Sequence, residues 1–341
     1  MSLYQLDHIR HHYNGRPVLD IDRLQISGNA VTGLAGPNGS GKSTLLRMLG
    51  FVERPSQGKI QFDQGKTDLY TAGLRTQVAL LPQQSYLLKR TVYKNITYGL
   101  HLRNDRRDEK KRVCEALRWV GLDAAKFSQR PWFALSGGEA RRVALAARLV
   151  LRPKVILLDE PTTSVDAASA HMIKESIIRA RQRWGTTLII SSHDMEWLND
   201  ISDQILYLFR GNLMNGGQPT VIFGPWESGP DGMACKTISG DQRLVIARPP
   251  EDLGNAAAAI NAGRMALYTD EAVIPKGHSR LKGTLARLNL EKISGGIGAT
   301  VSVGSLTFHI RLSPEDAAAR PWTPGQTVWI AYDPEAVRWM P

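Results

Sequence analysis

Two short stretches of the chain are apolar without interruption, residues 155–158 and residues 188–190. A strand that is apolar on both faces belongs in the middle of a parallel sheet, with helices covering each side. The first thirty residues differ, because apolar and polar positions alternate in short pieces with turn signals at Asn14-Gly15 and Gly28-Asn29. They predict a small sheet that precedes the buried strands along the chain.

Residues 91–132 follow a helical pattern, with apolar positions such as Val113 and Leu117 separated by charges. This pattern predicts a helical insert between two strand-rich segments. Glycine and proline become frequent between residues 211 and 232, as in a linker. Short alternating stretches within residues 301–332 then predict a small β barrel or sandwich.

The composition is that of an ordinary globular protein, with 341 residues, 42% apolar and 22% charged, and two domains are expected. No apolar run approaches the roughly 18 residues of a membrane span, and the first residues do not follow a signal-peptide pattern, so we expect a cytoplasmic protein. The net charge of +11 leaves nucleic acid, anionic lipid and small anions open as partners. Cys114 and Cys235 do not have metal-ligand spacing, and we expect reduced thiols.

A glycine-rich sequence lies between an apolar run and a helical pattern, the context of a phosphate-binding loop. Its glycines can adopt backbone angles closed to other residues, so that successive N–H groups turn inward around a phosphate chain. The lysine adds positive charge at the outer phosphates, and the next serine offers a hydroxyl to magnesium at a helix N terminus. The loop consists of Gly36, Pro37, Asn38, Gly39, Ser40, Gly41, Lys42, Ser43 and Thr44. The sequence therefore predicts a nucleoside triphosphate site.

Two carboxylates and a histidine follow the buried strands. Asp159 and Glu160 end the first strand, and because successive side chains point to opposite sides, the two cannot do the same work. We assign Asp159 to magnesium, through water, and Glu160 to the attacking water as base or polariser. His193 follows the second strand, at the edge where parallel sheets bind ligands, and is expected to contact a terminal phosphate. Gln83 lies in a connection after a buried strand, and connections often carry function.

A second anion-receptive helix N terminus is predicted where Ser136, Gly137 and Gly138 precede Glu139 and an alanine-rich helical pattern. One chain has little use for two such sites on one nucleotide. The sequence therefore favours an arrangement in which this site serves a nucleotide held by another copy of the chain. Tyr13 is a candidate for contact with the adenine of the nucleotide, with a tyrosine of the core as the alternative.

Together these motifs resemble those of the ATP-binding cassette (ABC) ATPases, the motor subunits of membrane transporters, over residues 1 to about 224. The resemblance rests on motifs in the family's order and at its spacing, namely the loop ending at Thr44, Gln83, residues 135–139, Asp159-Glu160 and His193. Glu139 is a mild departure, since glutamine is commoner at this place in the family.

The resemblance implies a homodimer that sandwiches two ATP molecules, with residues 136–138 of one copy facing the Lys42 loop of the other and Asp166 at the dimer seam. Mg2+ would be the second cofactor, held by Ser43, Gln83 and Asp159. Gln83 would link the magnesium site to the helical insert, which touches separate membrane permease subunits, while a solute-binding protein would act indirectly. Such a subunit lies peripherally on the cytoplasmic face of the cell (inner) membrane, and no nucleic acid partner is expected.

The implied fold class is α/β: a P-loop NTPase domain with a mostly parallel core sheet, an antiparallel β subdomain and a helical insert, followed by a small all-β barrel. The predicted bounds are 1–224 for the ATPase domain, with the insert at about 88–134, 225–240 for a linker and 241–341 for the C-terminal domain.

The last sixty or so residues resemble the small regulatory barrel, of TOBE or MOP type, of oxyanion and sugar importers. Ser279, Arg280 and Lys282 resemble the part that helps bind the oxyanion in molybdate and tungstate types, although an asparagine usual after the arginine is missing. Solvated side chains on a strand are the alternative. The surroundings of Trp197 and Trp226 also resemble tungstate importers.

We therefore expect an importer ATPase for tungstate or molybdate. Importers of another solute, such as sulfate, phosphate or a sugar, are the first alternative. A soluble ABC ATPase acting on nucleic acid is the second, because the net charge is positive, and an oxyanion sensor with the ATPase secondary is the third.

Overall fold

The structure is a computed structural model that describes residues 2–63, 72–84, 86–214, 218–229, 232–247, 256–290, 297–318 and 320–340. The chain divides into two compact units, Met1–Leu213 and Met214–Pro341. The first unit thus ends before residue 224, and strands occupy part of the segment 225–240 that glycine and proline indicate as a linker. Residues 230 and 231 of that segment lie outside the described residues. The functional bounds 1–224, 225–240 and 241–341 stay predictions.

The first unit alternates strands and helices. Up to the unit boundary its strands are β1 (Ser2–Tyr13), β2 (Arg16–Ser27), β3 (Val31–Ala35), β4 (Gln57–Phe62), β5 (Val78–Leu81), β6 (Val155–Asp159), β7 (Thr187–Ser191), β8 (Gln204–Phe209) and β9 (Asn212–Met214). Its helices are α1 (Lys42–Leu49), α2 (Ala72–Arg75), α3 (Val92–Leu102), α4 (Glu109–Trp119), α5 (Ala124–Phe127), α6 (Gly137–Leu149), α7 (Ala167–Trp184) and α8 (Met195–Ile201). None of the helices in the described ranges is long and apolar enough to cross a membrane.

The central sheet has the strand order β5-β6-β7-β3-β8-β9, and the pairs from β5 to β8 are parallel. Strand β6 lies inside this sheet, as its apolar sequence predicts. Val155 and Leu157 pack into one hydrophobic cluster with β1 and α1, whereas Ile156 and Leu158 pack into another with α3, α4, α6 and α7. Because β3, β7 and β6 are neighbours and parallel, the segments that follow them meet at one edge of the sheet.

A second sheet of this unit, ordered β2-β1-β4, is antiparallel, which confirms the predicted antiparallel subdomain. It packs on α1 through a buried aromatic group. The Tyr4 ring lies 4.8 Å from the Phe62 ring, centroid to centroid, and its hydroxyl donates a 2.9 Å hydrogen bond to the carbonyl oxygen of Leu49. The sheet thereby fixes the helix whose first residue is Lys42.

The helical insert consists of α3, α4, α5 and a 3-10 turn at Trp132–Ala134, within the predicted range of about 88–134. It leads directly into α6. Trp119 at the end of α4 stacks on Trp184 at the end of α7, with ring centroids 4.6 Å apart. The apolar positions Val113 and Leu117 of the predicted helical pattern are fully buried.

The second unit is a β domain. Its strands are β10 (Thr220–Phe223), β11 (Glu227–Ser228), β12 (Ala234–Ser239), β13 (Gln242–Ile246), β14 (Ala257–Ile260), β15 (Met265–Tyr268), β16 (Ser279–Leu290), β17 (Ile297–Val303), β18 (Leu306–Leu312), β19 (Thr327–Tyr332) and β20 (Arg338–Met340), and it has one short helix in its described part, α9 (Pro314–Ala318). The sheet β15-β19-β16-β17-β18 is antiparallel and curled into a half-barrel. The small β domain that the alternating stretches predict is confirmed.

Candidate functional site

The glycine-rich loop connects β3 to α1, and its backbone admits only glycine at the tightest point. Gly36 has φ 144°, and a Cβ atom there would lie 2.0 Å from the carbonyl oxygen of Leu208. Gly41 precedes α1 with φ 101°. Within the described residues no side chain caps this helix, so its first N–H groups face the loop side without an internal partner. The backbone thus provides a cradle of donors for an anion.

Polar side chains complete the cradle. The Lys42 ammonium is largely buried and donates to the carbonyl oxygens of Gly36, at 2.7 Å, and Pro37, at 3.0 Å. Burial lowers the pKa of Lys42, and the negative charges of Glu160 and Asp159 partly oppose that change. The Ser40 hydroxyl is buried, and in the described part of the chain it has no hydrogen-bond partner. These features fit the binding of a phosphate chain.

Asp159 and Glu160 are buried at the carboxyl end of β6 and point to different partners. Asp159 Oδ1 accepts a 2.6 Å hydrogen bond from the Ser191 hydroxyl. Glu160 Oε2 accepts a 3.1 Å hydrogen bond from the Thr163 hydroxyl and lies 2.9 Å from His193 Nδ1. The His193 side chain is 66% exposed, whereas that of Glu160 is 7% exposed. The pair therefore joins a buried carboxylate to an imidazole open to solvent.

The backbone at Glu160 is strained. Its φ is 49°, a left-handed conformation that costs a non-glycine residue on the order of 1–3 kcal/mol and persists only where the surroundings enforce it. The Glu160 N–H donates to the carbonyl oxygen and to the hydroxyl of Ser191, both at 3.1 Å. These two hydrogen bonds hold the backbone of Glu160 in this conformation at the edge of the sheet.

Sequence reasoning missed Arg141, which joins several parts of the site. This arginine of α6 is 6% exposed and donates to the carbonyl oxygens of Pro82, Gln83, Asp159, Glu160 and Pro161. A signal was present, because a helical period places Arg141 on the same stripe as the buried Leu145 and Leu149. A charge on a core-facing stripe indicates a specific set of partners.

The predicted second anion site lies at the N terminus of α6. Ser136 caps the helix and forms a capping box with Glu139: its hydroxyl accepts from the Glu139 N–H at 3.2 Å, and Glu139 Oε2 accepts from the Ser136 N–H at 2.8 Å. Gly137 is exposed, and a Cβ atom there would meet open space. Each of the two side chains thus caps the backbone N–H of the other residue, and the open position of this N terminus is Gly137.

Asp166 lies close to this N terminus. A Cβ atom on Gly138 would be 3.3 Å from Asp166 Oδ2. Asp166 caps α7, accepting hydrogen bonds from the N–H and the hydroxyl of Ser169 at 2.8 and 2.9 Å. Both hydrogen bonds lower the pKa of Asp166, and the bond from the Ser169 N–H has the larger effect. The structure therefore brings Asp166 and the glycines of α6 to one surface.

Tyr13 is not a tyrosine of the core, since it is 38% exposed. Its hydroxyl donates to Glu53 Oε2 at 2.6 Å and accepts from the Arg47 guanidinium at 2.7 Å. Burial raises the pKa of Glu53, but the hydrogen bonds from Tyr13 and Arg47 outweigh it and leave that pKa below its ordinary value. Because Arg47 belongs to α1, the Tyr13 ring is tied to the helix that follows the loop.

The side chains proposed for magnesium are the Ser43 hydroxyl, the Gln83 amide and the Asp159 carboxylate. All three offer oxygen atoms, the ligands that this hard cation prefers alongside phosphate oxygens. Asp159 has one oxygen engaged by Ser191, and Gln83 is exposed at the end of the connection after β5. The donor set fits Mg2+.

The three candidate oxyanion residues in the second unit are not brought together on one face. Arg280 and Lys282 lie on the exposed face of β16, and Ser279 points to the other. Arg280 Nε lies 3.0 Å from Glu271 Oε1, and the Lys282 ammonium lies 5.8 Å from the centroid of the Trp329 ring. Arg280 therefore already pairs with a carboxylate.

Comparison with known proteins places this geometry in a family. Residues 19–163 match the family model for ABC transporters. The tungstate uptake system ATP-binding protein TupC of Peptoclostridium acidaminophilum is 32% identical over 209 residues, which cover 61% of this chain and 95% of that protein. The phosphate import ATP-binding protein PstB 2 of Natronomonas pharaonis is 35% identical over 250 residues, which cover 68% of this chain and 85% of that protein.

A solved structure shares both the fold and detectable sequence identity. It is a dimeric ATP-binding cassette in a post-hydrolysis state, bound to ADP and Pi, with a TM-score of 0.58 and 26% identity over 62% of this chain and 97% of that chain. The identity to TupC extends over nearly all of that relative, and the described loop and carboxylates lie within residues 19–163, which match the family model. The chain therefore belongs to the ABC transporter family and carries its ATPase domain.

Proposed function

We propose that two copies of this chain form the ATP-hydrolysing motor of an importer, attached peripherally to separate permease subunits at the cytoplasmic face of the cell membrane. The imported solute would be an oxyanion, tungstate or molybdate. The observation that carries the catalytic part is the convergence of the loop at Lys42 with the buried Glu160 and the exposed His193 at one sheet edge. Burial and paired geometry are the properties expected of a hydrolytic site.

Each part of the site has a distinct task in this proposal. The cradle of residues 36–44 and the Lys42 ammonium hold the phosphates, and the Tyr13 ring contacts the adenine. Glu160 provides an acceptor for a proton of the attacking water. His193, whose Nδ1 lies 2.9 Å from Glu160 Oε2, contacts the terminal phosphate. Ser43, Gln83 and Asp159 would hold Mg2+, which would supply positive charge at the phosphate oxygens.

The dimer follows from the second helix N terminus. Residues 136–138 and Asp166 form one surface of the chain, and in the proposed dimer this surface closes over the nucleotide of the other copy. Closure on two ATP molecules would then be a population shift of a bistable dimer, which hydrolysis reverses. Gln83 and the helical insert would transmit this conformational change to the permease subunits. A solute-binding protein would deliver the solute to those subunits.

Relatives do not single out one solute, since ATP-binding proteins of tungstate, phosphate, amino-acid, spermidine/putrescine and Fe(3+) importers are all 32–35% identical to this chain. Similarity to TupC at 32% identity favours tungstate, and similarity to PstB 2 at 35% identity makes phosphate the second candidate. Ser279, Arg280 and Lys282 remain proposed as a regulatory oxyanion site, for which the Arg280–Glu271 pair would have to open.

The catalytic proposal is tested by the variant Glu160→Gln. ATP binding should be retained, because the cradle is intact, while the hydrolysis rate should fall by about two to four orders of magnitude, as removal of a general base predicts. Closed dimer should accumulate in size-exclusion chromatography with ATP. The matched control is Glu139→Gln, which keeps an acceptor in the capping box of α6 and should hydrolyse ATP normally. Undiminished hydrolysis by Glu160→Gln would remove this residue from the mechanism.

The solute is tested by uptake measurements in cells that have lost this chain. Loss of labelled tungstate or molybdate uptake, restored by the wild-type chain but not by Glu160→Gln, is the expected result. Uptake of phosphate should be unaffected. Loss of phosphate uptake with tungstate and molybdate uptake intact would replace the solute assignment by the second candidate.

A further inference from the structure

We infer that Arg141 is a positioning residue that couples the N-terminal turn of α6 to the backbone at Gln83 and at Glu160. The inference rests on the function proposed for this site, since it concerns how the surface at Ser136 communicates with the hydrolytic residues. Arg141 lies four positions after Gly137, the first residue of α6, and is therefore about one helical turn from the surface that would meet the second copy.

All three nitrogens of the Arg141 guanidinium donate to backbone carbonyl oxygens of described residues. Nη1 donates to the carbonyl oxygen of Pro82 at 2.8 Å and to that of Gln83. Nη2 donates to the carbonyl oxygens of Asp159 at 2.9 Å and Glu160 at 2.8 Å, and Nε donates to a further backbone oxygen, that of Pro161, at 3.4 Å. One side chain thus bridges the connection after β5 and the end of β6.

The chemistry of this bridge requires arginine. A guanidinium presents its donors in a rigid planar fork, whereas a lysine ammonium presents three donors from a single point. Burial lowers the pKa of Arg141, and the charges of Asp159 and Glu160 act in the opposite direction. Carbonyl oxygens left buried without a donor would destabilise the local structure, so a shorter or differently shaped side chain cannot hold the same geometry.

The bridge acts on a residue that needs external support. Glu160 has a left-handed backbone with φ 49°. Its N–H is held by Ser191, and its carbonyl oxygen accepts from Arg141 at 2.8 Å and, at the longer distance of 3.3 Å, from the Thr163 N–H. A displacement of the first turn of α6 is therefore transmitted to the peptide that orients the Glu160 carboxylate and, through the same fork, to Gln83.

The same helix contains a matched control. Arg148 also donates to backbone carbonyl oxygens, those of Leu80 at 3.2 Å and Ala144 at 3.1 Å. Burial lowers its pKa as it lowers that of Arg141. The two acceptors lie in β5 and in α6 itself, and neither belongs to the loop, to the Gln83 connection or to the end of β6. Arg148, which is half-buried, therefore reports the general cost of removing an arginine with backbone acceptors from α6.

The test compares wild type, Arg141→Gln and Arg148→Gln by hydrogen–deuterium exchange without nucleotide and by steady-state ATP hydrolysis. In Arg141→Gln, peptides covering residues 82–84 and 159–161 should exchange faster by about tenfold, as loss of local hydrogen bonds predicts. Its kcat should fall by about tenfold with KM within about threefold, the signature of an effect on the transition state rather than on nucleotide binding. Arg148→Gln should change neither quantity. Arg141→Lys should also exchange faster than wild type at these peptides. This variant takes the place of Arg141→Gln in the comparison if Arg141→Gln does not fold.

The outcomes separate this inference from the proposed function. Exchange at residues 82–84 and 159–161 that is the same in Arg141→Gln and in wild type would overturn the coupling, whatever the rate of hydrolysis. Equal changes in Arg141→Gln and Arg148→Gln would overturn it as well. Faster exchange in Arg141→Gln alone, combined with a wild-type chain that hydrolyses no ATP, would support the coupling and overturn the ATPase proposal.

Discussion

Two helices of the first unit, α1 and α6, have glycines at their N termini, and the chain completes these N termini in different ways. Helix α1 begins after Gly41 and has no side-chain cap within the described residues, while the Lys42 ammonium lies beside it with the carboxylates of Asp159 and Glu160 in electrostatic range. Helix α6 is capped by Ser136 in a reciprocal box with its own glutamate.

The difference indicates what each N terminus depends on. In the proposed function, the donors of α1 would gain partners from a bound phosphate, so the ligand would complete this site. The donors of α6 are partly satisfied by its own side chains, and its open part is the glycine backbone at Gly137. A surface of that kind is stable in a single chain and suits later contact with a second copy.

Replacing Lys42 should have the largest effect on nucleotide binding. Charge-assisted hydrogen bonds contribute about 1.5–3 kcal/mol each, so Lys42→Ala should weaken ATP binding by about a hundredfold. Fluorescence titration with a labelled ATP analogue measures the change, and Lys59→Ala, an exposed lysine of β4, is the control. An affinity equal to that of wild type would show that the loop does not hold phosphates.

Alanine substitutions of the glycines at the two N termini should differ in their effect on the free energy of unfolding. Gly36→Ala places a Cβ atom 2.0 Å from the carbonyl oxygen of Leu208 and should lower the free energy of unfolding by on the order of 3 kcal/mol. Gly137→Ala meets open space, and its free energy of unfolding should stay within about 0.5 kcal/mol of wild type. Urea denaturation measures both. Similar losses in the two variants would contradict the contrast.

Removal of the α6 cap should have a moderate effect. Ser136→Ala removes the acceptor of the Glu139 N–H and should lower the free energy of unfolding by about 1 kcal/mol. ATP binding to a single chain should be unchanged, because the loop is untouched. Glu139→Gln keeps an oxygen acceptor and should cost less than Ser136→Ala. Chemical denaturation, together with the titration used for Lys42, checks both statements, and a loss of ATP affinity in the isolated chain would count against a separate second site.

The smallest effect concerns the acid limb of the stability profile. The pKa of Asp166 is lowered in the folded chain, mainly by the Ser169 N–H. Its stabilisation is therefore fully present above the ordinary aspartate pKa of about 4 and is lost as the pH falls through the lowered value. Asp166→Ala should have a lower Tm than wild type at pH 7, and the gap should narrow towards pH 3. A gap that does not change with pH would exclude this source of stability.

Much of the fold follows from local patterns. The apolar run 155–158 requires burial on both faces, and β6 lies between parallel neighbours. The spacing of Gly36, Lys42 and Ser43 defines a strand–loop–helix, and the structure has β3, the loop and α1 in that order. Period-two alternation was sufficient to predict a β domain near the C terminus.

Other features depend on contacts between distant positions. Arg141 meets the carbonyl oxygens at Gln83 and Glu160, which are 58 and 19 positions away in the chain, and no local pattern specifies such a bridge. Glycine and proline are frequent both in linkers and in turns between short strands. Their frequency after residue 211 therefore could not predict the strands that occupy part of residues 225–240. The alternation of β16 places Ser279 on the face opposite to Arg280 and Lys282. The period of two along a strand already implies this from the sequence.

The central claim is that each nucleotide site is shared, with the loop of one copy facing the α6 N terminus of the other. It is tested most directly by mixing two single-cysteine chains, Asn38→Cys and Gly137→Cys, in a Glu160→Gln background from which Cys114 and Cys235 have been replaced by serine. Both positions are exposed in the single chain. We predict an oxidative cross-link between the two different chains that forms with ATP and not without it. Neither single-cysteine chain should form a cross-link on its own. No cross-link in the mixture, or one that forms equally without ATP, would contradict the shared site.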